Sequence, residues 1–366
     1  MATHRERVLQ VQETLLKQDL DYMFLTISPG LFYLTGHSSL VSERLYLLVI
    51  PSEGRPIIIF PGYEKTAIDY LADWIEIVGW LETDDPISFV CNALDPNGRD
   101  APIRIAISDC TRAIFLLRMQ EALPKAHFIP ASEILAPMRR VKDKEELRIL
   151  KEAQDMAVES LKRLFELPFA GRTEKQIAAD LHRICHSIGL KLEYLQVGSG
   201  PNSARFDPNP TSRVIQRGEP VLIDFGGIHN GYYSDCTRTV YVGPPSDEFK
   251  KIFDIVREAN HAALAAIRPN VGCESIDRAA RQVIAAAGYG EYFLHRLGHG
   301  IGIEIHEEPW IVEGNKLLLE PGMTFTDEPG IYLPDKFGCR LEDVIAVTES
   351  GGLPLTNYSH DIIVVE

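Results

Sequence analysis

The chain has 366 residues, of which 45% are hydrophobic and 24% charged, and its formal charge is −15. So long a chain usually needs more than one core, so two domains are expected. The acidity excludes the basic footprint of a nucleic-acid binder and speaks against an anionic membrane surface.

The N-terminus, MATHRERVLQVQETLL, lacks the apolar stretch of a secretory signal. No apolar run reaches the ~18 residues of a membrane span, so a cytoplasmic protein is expected. Residues 5–20 place Val8, Leu9, Val11, Leu15, Leu16 and Leu20 at helical spacing. Short apolar runs follow, YMFLTI, RLYLLVIP, RPIIIF, WIEIVGW and IRIAIS, with helical stretches at 63–72 and 111–122 among them. Strands alternating with helices predict an α/β domain on a parallel or mixed sheet. FIPASEILAPMRRVKD, with two prolines and a basic-to-acidic switch, places a boundary that divides the chain into 1–137 and 138–366.

Beyond it, 142–167 is a long amphipathic helix, with KDKEE as a solvated first turn and Pro168 as its stop. TEKQIAADLHRICHSIG is a second helix, N-capped by Thr173 with Gln176 in the capping-box position and closed by Gly189. Residues 246–267, capped by Ser246 or Asp247, and 273–287 form another helical pair. Helix, helix, strands therefore occurs twice, without identity between the halves. Six cysteines, Cys91, Cys110, Cys185, Cys236, Cys273 and Cys339, show no CxxC spacing and read as reduced, packed thiols.

The chemistry lies in the second domain. VLIDFGG ends an apolar run in Asp224, GYYSDCTRTVYV carries Asp235, FTDEPGIY carries Glu328 and CRLEDVIAV carries Glu342. A buried carboxylate costs several kcal/mol unless it is paired or ligated. Any one of these acids could be a strand-end salt bridge. Together they outnumber the obvious nearby cations, Arg238 and Arg340, and a divalent ion is the natural source of shared positive charge. HRLGHGIGIEIHEEP adds three histidines, His295, His299 and His306, among glycines that would let the chain approach a metal closely. Five ligands with two bridging carboxylates suit a pair of ions, a known hydrolytic arrangement.

Asp-x10-Asp followed by GHGIG, EPG and RLED resembles the dinuclear M24 peptidases of the pita-bread fold. These include methionine aminopeptidase, aminopeptidase P, prolidase and the metal-free creatinase. GPNSA, HGIGxxxHE, EPGIY and RLEDVIAVTESG, with an α/β domain ahead of them, are closest to aminopeptidase P and prolidase. The resemblance implies a creatinase-like N-terminal α/β domain followed by a pita-bread catalytic domain. It implies two divalent ions (Mn, Co, Zn or Fe, with Mn foremost) held by Asp224, Asp235, His299, Glu328 and Glu342, and hydrolysis of Xaa-Pro bonds by a hydroxide bridging them. His306 would stabilise the oxyanion, Glu328 would move the proton, and His295 would face the substrate. Thr237 and Arg340 would orient carboxylates, with Arg340 also near the substrate. A homodimer is implied, the first domain reaching a partner's site through Tyr33, His37 or Arg44.

One position departs from the pattern. Where GPNSAxxH supplies a histidine, GPNSARFDPNP places Asp207. An aspartate adds negative charge and donates no hydrogen bond unless protonated. It could alter substrate preference, mark a creatinase-like hydrolase or lyase of a small non-peptide amide, or be a turn residue before Pro208. A metal-free binding module is the third reading, opposed by the intact ligand set.

Overall fold

The computed structural model describes residues 3–94 and 102–366. It divides into two compact units, Met1–Met138 and Arg139–Glu366.

In the first unit, α1 (His4–Lys17) starts at Thr3, whose side chain accepts from the Glu6 amide while Glu6 accepts from the Thr3 amide. The strands β1 (Tyr22–Thr26), β2 (Leu47–Pro51), β3 (Ile57–Pro61), β4 (Glu76–Trp80), β5 (Ile103–Ile107) and β6 (Ala126–Pro130) form one sheet in the order β4-β3-β2-β1-β5-β6. β2 runs antiparallel to both neighbours and the other pairs are parallel, so the sheet is mixed. The helices α2 (Pro29–Thr35), α3 (Pro86–Ala93), α4 (Ala113–Ala122) and α5 (Ser132–Arg140) complete the unit's elements. Phe24, Val49, Ile59, Ile105, Phe115 and Met119 belong to its core.

One expectation fails here. Residues 63–72 are not an α-helix but two 3-10 turns, Gly62–Ala67 and Asp69–Leu71. Their buried apolar groups, Ile68 and Leu71, stand three apart, as a three-residue turn requires, and no longer stripe exists to hold a helix. The proline-bearing stretch is itself structured. Its first proline closes β6 and Pro137 lies inside α5, the helix in which the division between the units falls. Tyr33 is buried beneath the Arg7 guanidinium, 4.0 Å from the ring centroid, and His37 is buried and stacked on Tyr46. Both serve their own unit's packing, while Arg44 pairs with Glu43 and Glu82 at the surface.

The second unit begins with α6 (Lys144–Phe165) and α7 (Glu174–Ser187), each opened by a capping box, Asp143 with Glu146 and Thr173 with Gln176. Then come β7 (Lys191–Ser199), β8 (Pro220–His229), β9 (Tyr232–Tyr233), β10 (Cys236–Val242), α8 (Asp247–Ala266, capped by Ser246) and α9 (Cys273–Ala286). The remaining strands are β11 (Gly298–Gly300), β12 (Glu307–Ile311), β13 (Thr324–Asp327), β14 (Gly330–Leu333), β15 (Phe337–Arg340), β16 (Asp343–Thr348), β17 (Gly351–Pro354) and β18 (Val364–Val365). They make a sheet β18-β10-β8-β7 with β9 on β8, a sheet β12-β11-β13-β16-β17, and a β14-β15 ribbon. Leu161, Leu164, Ile177 and Leu181 from the first helix pair share a core with Val221, Ile223 and Val240. Phe249, Ile252 and Val256 from the second pair share another with Phe325, Ile345 and Val347. Helix pair against sheet thus occurs twice, in the order the sequence suggests.

Lys142 is not solvated. Its ammonium lies 2.6 Å from Glu307 Oε1, with Arg139 2.5 Å from the other oxygen, so three buried or nearly buried charges anchor the strand that follows His306. Cys185, Cys236, Cys273 and Cys339 are buried free thiols. Among the described residues no helix is long and apolar enough to cross a membrane.

The glycines around His299 act on the backbone rather than on a ligand. A Cβ on Gly298 would lie 1.8 Å from the Thr326 carbonyl oxygen, so only glycine lets β11 approach β13 this closely. Gly298→Ala is therefore expected to destabilise the second unit by about 3 kcal/mol through overpacking against rigid backbone. Urea denaturation followed by far-UV circular dichroism checks this, and a midpoint equal to wild type would refute it.

Candidate metal centre

Strand ends gather three of the acids, and the middle of β8 carries the fourth. On β8, Val221, Leu222 and Ile223 are buried and Asp224 follows, opposite Thr237 of β10. Asp235 immediately precedes β10, Glu328 follows β13 and Glu342 precedes β16. Asp327 and Asp343 are register partners, which brings Glu328 and Glu342 to the same end of one strand pair. His299 is the middle residue of β11, which lies beside β13. All five line a single cavity of about 820 Å³, together with Tyr194, Gln196, Phe206, Asp207, His295, Arg296, His306 and Arg340.

The donor atoms converge. His299 Nε2 lies 3.6 Å from Asp235 Oδ2 and 3.4 Å from Glu328 Oε1. One donor atom each from Asp235, His299 and Glu342 falls within 4.8 Å of the others. His299 Nδ1 is 3.1 Å from the Gly300 carbonyl oxygen, an acceptor only, so the proton resides on Nδ1 and the Nε2 lone pair faces the acids. Burial, aided by neighbouring His306, lowers the His299 pKa to about 3, which keeps it a neutral donor. Hydroxyls fix the carboxylates: Tyr194 donates to Asp235, Thr237 to Glu342 Oε2, and Thr326 to Glu328 Oε1 at 3.1 Å. The Thr326 hydroxyl also accepts from the His299 amide at 3.0 Å, tying two candidate ligands to one side chain.

Arg340 is 1% exposed, and all five of its guanidinium N–H groups have acceptors within the protein. Nη2 donates to Asp224 Oδ2 at 2.5 Å and Gln196 at 3.5 Å, Nη1 to the Tyr332 hydroxyl at 2.7 Å and the Phe206 carbonyl at 3.2 Å, and Nε to Thr237 at 3.1 Å. It holds Asp224 in place and has no donor left for a substrate. His295 is similarly engaged: Nδ1 lies 2.7 Å from the Arg296 carbonyl oxygen and Nε2 2.9 Å from the Tyr332 hydroxyl. Its ring, 4.6 Å from that of Phe206, contributes a face to the cavity rather than a free nitrogen.

One guanidinium cannot neutralise four buried carboxyls. Burial pushes the Asp235 and Glu342 pKa values well above the usual carboxylate range, reinforced by Asp224 on Asp235 and by Asp235 on Glu342. Glu328 rises to about 7, again through burial first. Asp224 rises despite Arg340, with the charge of Asp207 adding to the shift. Asp224 Oδ1 is buried without a hydrogen-bond partner among the described residues. A buried, unserved carboxylate oxygen beside a neutral imidazole lone pair and three further acids is a donor set that lacks a cation, and divalent ions fit it.

His306 lies on the open side, its ring edge-on to His299 with centroids 4.1 Å apart. Burial and Arg296 lower its pKa, so near neutrality it is an uncharged donor. Asp207 is exposed at the cavity wall. Sequence reasoning missed Tyr194, which no motif marks, and Tyr332, which EPGIY contains. It also passed over Arg296, inside the quoted histidine stretch.

The pattern of Metallopeptidase family M24 matches residues 148–349, and that of the Creatinase/Prolidase N-terminal domain matches residues 7–141. The chain is 38% identical to the probable dipeptidase PepE of Mycobacterium tuberculosis over 93% of this chain and 92% of that one. It is 33% identical to the Xaa-Pro dipeptidase of Lactobacillus helveticus, covering 97% and 98%. The crystal structure of a prolidase from Thermococcus sibiricus superposes with a TM-score of 0.94 at 34% identity, covering 100% of both chains. The chain belongs to metallopeptidase family M24, with a creatinase-type N-terminal domain ahead of a pita-bread catalytic domain.

Because burial raises the pKa values of Asp235 and Glu342 and brings that of Glu328 to about 7, metal loading is expected to expel protons from these acids. The signs follow from the raised values. Ionising these acids costs the metal-free fold stability as pH rises from about 4 through 7 and beyond, whereas the loaded protein escapes that cost. Calorimetric titration with Mn²⁺ at pH 7 in buffers of different ionisation enthalpy should show release of at least one proton, and the metal-induced rise in melting temperature should grow from pH 5 to 8. Binding without proton release would refute this charge balance.

Proposed function

We propose that this metallopeptidase hydrolyses Xaa-Pro bonds, with Xaa-Pro dipeptides as its foremost substrates, using two divalent ions. Asp224, Asp235, His299, Glu328 and Glu342 would hold the ions. The observation that carries the reading is the single open cavity in which four buried acids and one correctly oriented imidazole meet around an unserved carboxylate oxygen. Relatives named as Xaa-Pro dipeptidase and prolidase, similar along the whole chain, support the substrate class. Four carboxylates to one imidazole favour manganese over softer ions. The same reading takes the protein to be a cytoplasmic homodimer, as the resemblance implies.

Bound there, divalent ions supply the charge that lets the acids ionise together and the Lewis acidity that activates water and polarises a carbonyl. The remaining work falls to the chain. Glu328, at the cavity beside His299, would accept a proton from the attacking water and return it. The nitrogen of a proline peptide bond bears no hydrogen, so it can depart only after receiving that proton. Neutral His306, at the open edge, donates a hydrogen bond to the scissile carbonyl oxygen as negative charge develops. Phe206, His295 and Tyr332 form an aromatic wall, with Phe206 4.6 Å from His295 and 6.3 Å from Tyr332, against which a pyrrolidine ring can lie.

A second reading, hydrolysis of a small non-peptide amide, rests on Asp207, whose charge lines the cavity where the family pattern has histidine. Protein loaded with Mn²⁺ or Co²⁺ is expected to cleave Xaa-Pro dipeptides, to cleave creatine and related amides not at all, and to lose activity on chelation. Failure on every proline peptide would end the first reading, and cleavage of the amides would establish the second. Glu328→Gln should lower kcat about 10²–10⁴-fold, and His306→Ala about 10²–10³-fold with KM little changed. Metal content measured on each variant separates lost chemistry from lost ions.

A further inference from the structure

Away from the cavity, two histidines of the second unit meet at the surface. His261, exposed on α8, places its Nε2 3.1 Å from Nδ1 of His360, in the segment between β17 and β18. Neither lines the metal-centre cavity. His360 is fixed from behind: its Nε2 lies 2.6 Å from Asp343 Oδ2, and the other oxygen of that carboxylate accepts from Arg238 at 2.8 Å. Asp343 and Arg238 are both buried. A carboxylate paired with a buried guanidinium is an acceptor, so in the neutral His360 ring the proton resides on Nε2 and the Nδ1 lone pair faces His261. The segment is itself anchored to β16, the Leu355 amide donating to the Val344 carbonyl at 2.8 Å and the Thr356 hydroxyl accepting from the Val344 amide at 3.0 Å.

A carboxylate behind an imidazole is the device that orients metal-ligating histidines and fixes their tautomer. Metal–nitrogen lengths of about 2.0–2.1 Å put two ligating imidazole nitrogens about 2.9–3.4 Å apart, between square and tetrahedral angles. The separation of His261 and His360 falls inside that span. Partial burial, then the neighbouring His360 and Arg257, lower the His261 pKa, which keeps its imidazole neutral and able to ligate. Arg257 opposes a cation here, but it is offset by Asp254 at 2.7 Å and Asp361 at 3.7 Å. We propose that His261 and His360 bind one borderline divalent transition ion, of the Zn²⁺, Ni²⁺ or Cu²⁺ class, at a site separate from the metal centre. The ion takes the place of the hydrogen shared by the two rings, with His261 carrying its proton on Nδ1. Among the described residues no third histidine, cysteine or carboxylate donor joins the pair, so water fills the remaining positions. Mn²⁺, which prefers oxygen donors, gains little from two imidazoles. Bound there, the ion staples the segment after β17 to α8.

The test is ion binding to the full chain after chelation and dialysis, with His299→Ala as the background because it removes the imidazole of the metal centre. Calorimetric titration with Zn²⁺ should show that adding His261→Ala costs one bound ion per chain, or weakens that site by at least about tenfold. His360→Ala should do the same. His261 is exposed on a helix, where alanine is well tolerated, so far-UV circular dichroism of His261→Ala should match its parent even if His360→Ala, which strips a partner from buried Asp343, folds poorly. Electron paramagnetic resonance gives a second reading: Cu²⁺ on the His299→Ala chain should show coupling to two imidazole nitrogens, reduced to one when His261 is also replaced. A Zn²⁺ stoichiometry and affinity unchanged by His261→Ala, or a Cu²⁺ signal indifferent to it, overturns the assignment and leaves the pair a hydrogen bond between two rings.

Discussion

The second unit is built around an unbalanced charge. Asp224, Asp235, Glu328 and Glu342 are each at most 8% exposed, and among the described residues the guanidinium paired with one of them is that of Arg340. Two carboxylates whose oxygens come within 4.8 Å of each other, as in Asp235 and Glu342, repel by about 3–4 kcal/mol at an effective dielectric constant near 20. The protein's own answer is partial: three hydroxyls and one guanidinium hold the acids in place, and burial drives the rest toward the protonated form. What completes the balance must come from outside, which is why the same residues that burden the fold can bind divalent ions.

That burden explains where the acids sit. A carboxylate within a strand would need its own pocket among apolar neighbours. At a strand end the ladder stops, and backbone direction can turn the side chain toward a common point. Asp235 and Glu342 precede their strands and Glu328 follows its own; Asp224 alone lies within a strand, β8, where Arg340 pairs with it and it stands opposite Thr237, whose hydroxyl serves both Arg340 and Glu342. The close approach of β11 to β13 at Gly298 then brings the imidazole up to the carboxylates. Next to His306, Lys142 and Arg139 clamp Glu307, so the return strand of the histidine loop is held by buried ion pairs and not by loop packing alone.

Much of this was legible in the sequence because charge in apolar context is a strong signal. VLIDFGG and RLEDVIAV announce acids where strands should be dry, and the capping residues Thr173 and Ser246 mark their helices by the same local chemistry seen in the structure. The helix pairs followed from periodicity. Residues 63–72 did not, because a short segment with two apolar anchors suits a 3-10 turn as well as a helix. Lys142 looked solvated because its partner, Glu307, lies 165 positions away, a pairing that local reasoning cannot see. Tyr194 was invisible for the same reason, being one aromatic in a β-strand until the fold sets it against Asp235.

Arg296 and Arg340 show why burial alone does not assign a role. In the sequence Arg340, within the motif, is the natural candidate for touching substrate, and Arg296 draws no notice. The structure gives Arg340 a different task. A guanidinium presents five donors in a fixed fork, and once each has an acceptor the group can only hold what it already holds. Arg340 has reached that condition, and moving it to a substrate would leave Asp224 with neither counter-charge nor hydrogen bond at Oδ2. Arg296 lines the same cavity from over Trp310, where its field reaches Glu328 without a hydrogen bond to any of the four acids among the described residues. Two guanidiniums of equal charge thus differ in what they hold, and only Arg340 fixes a carboxylate of the metal centre.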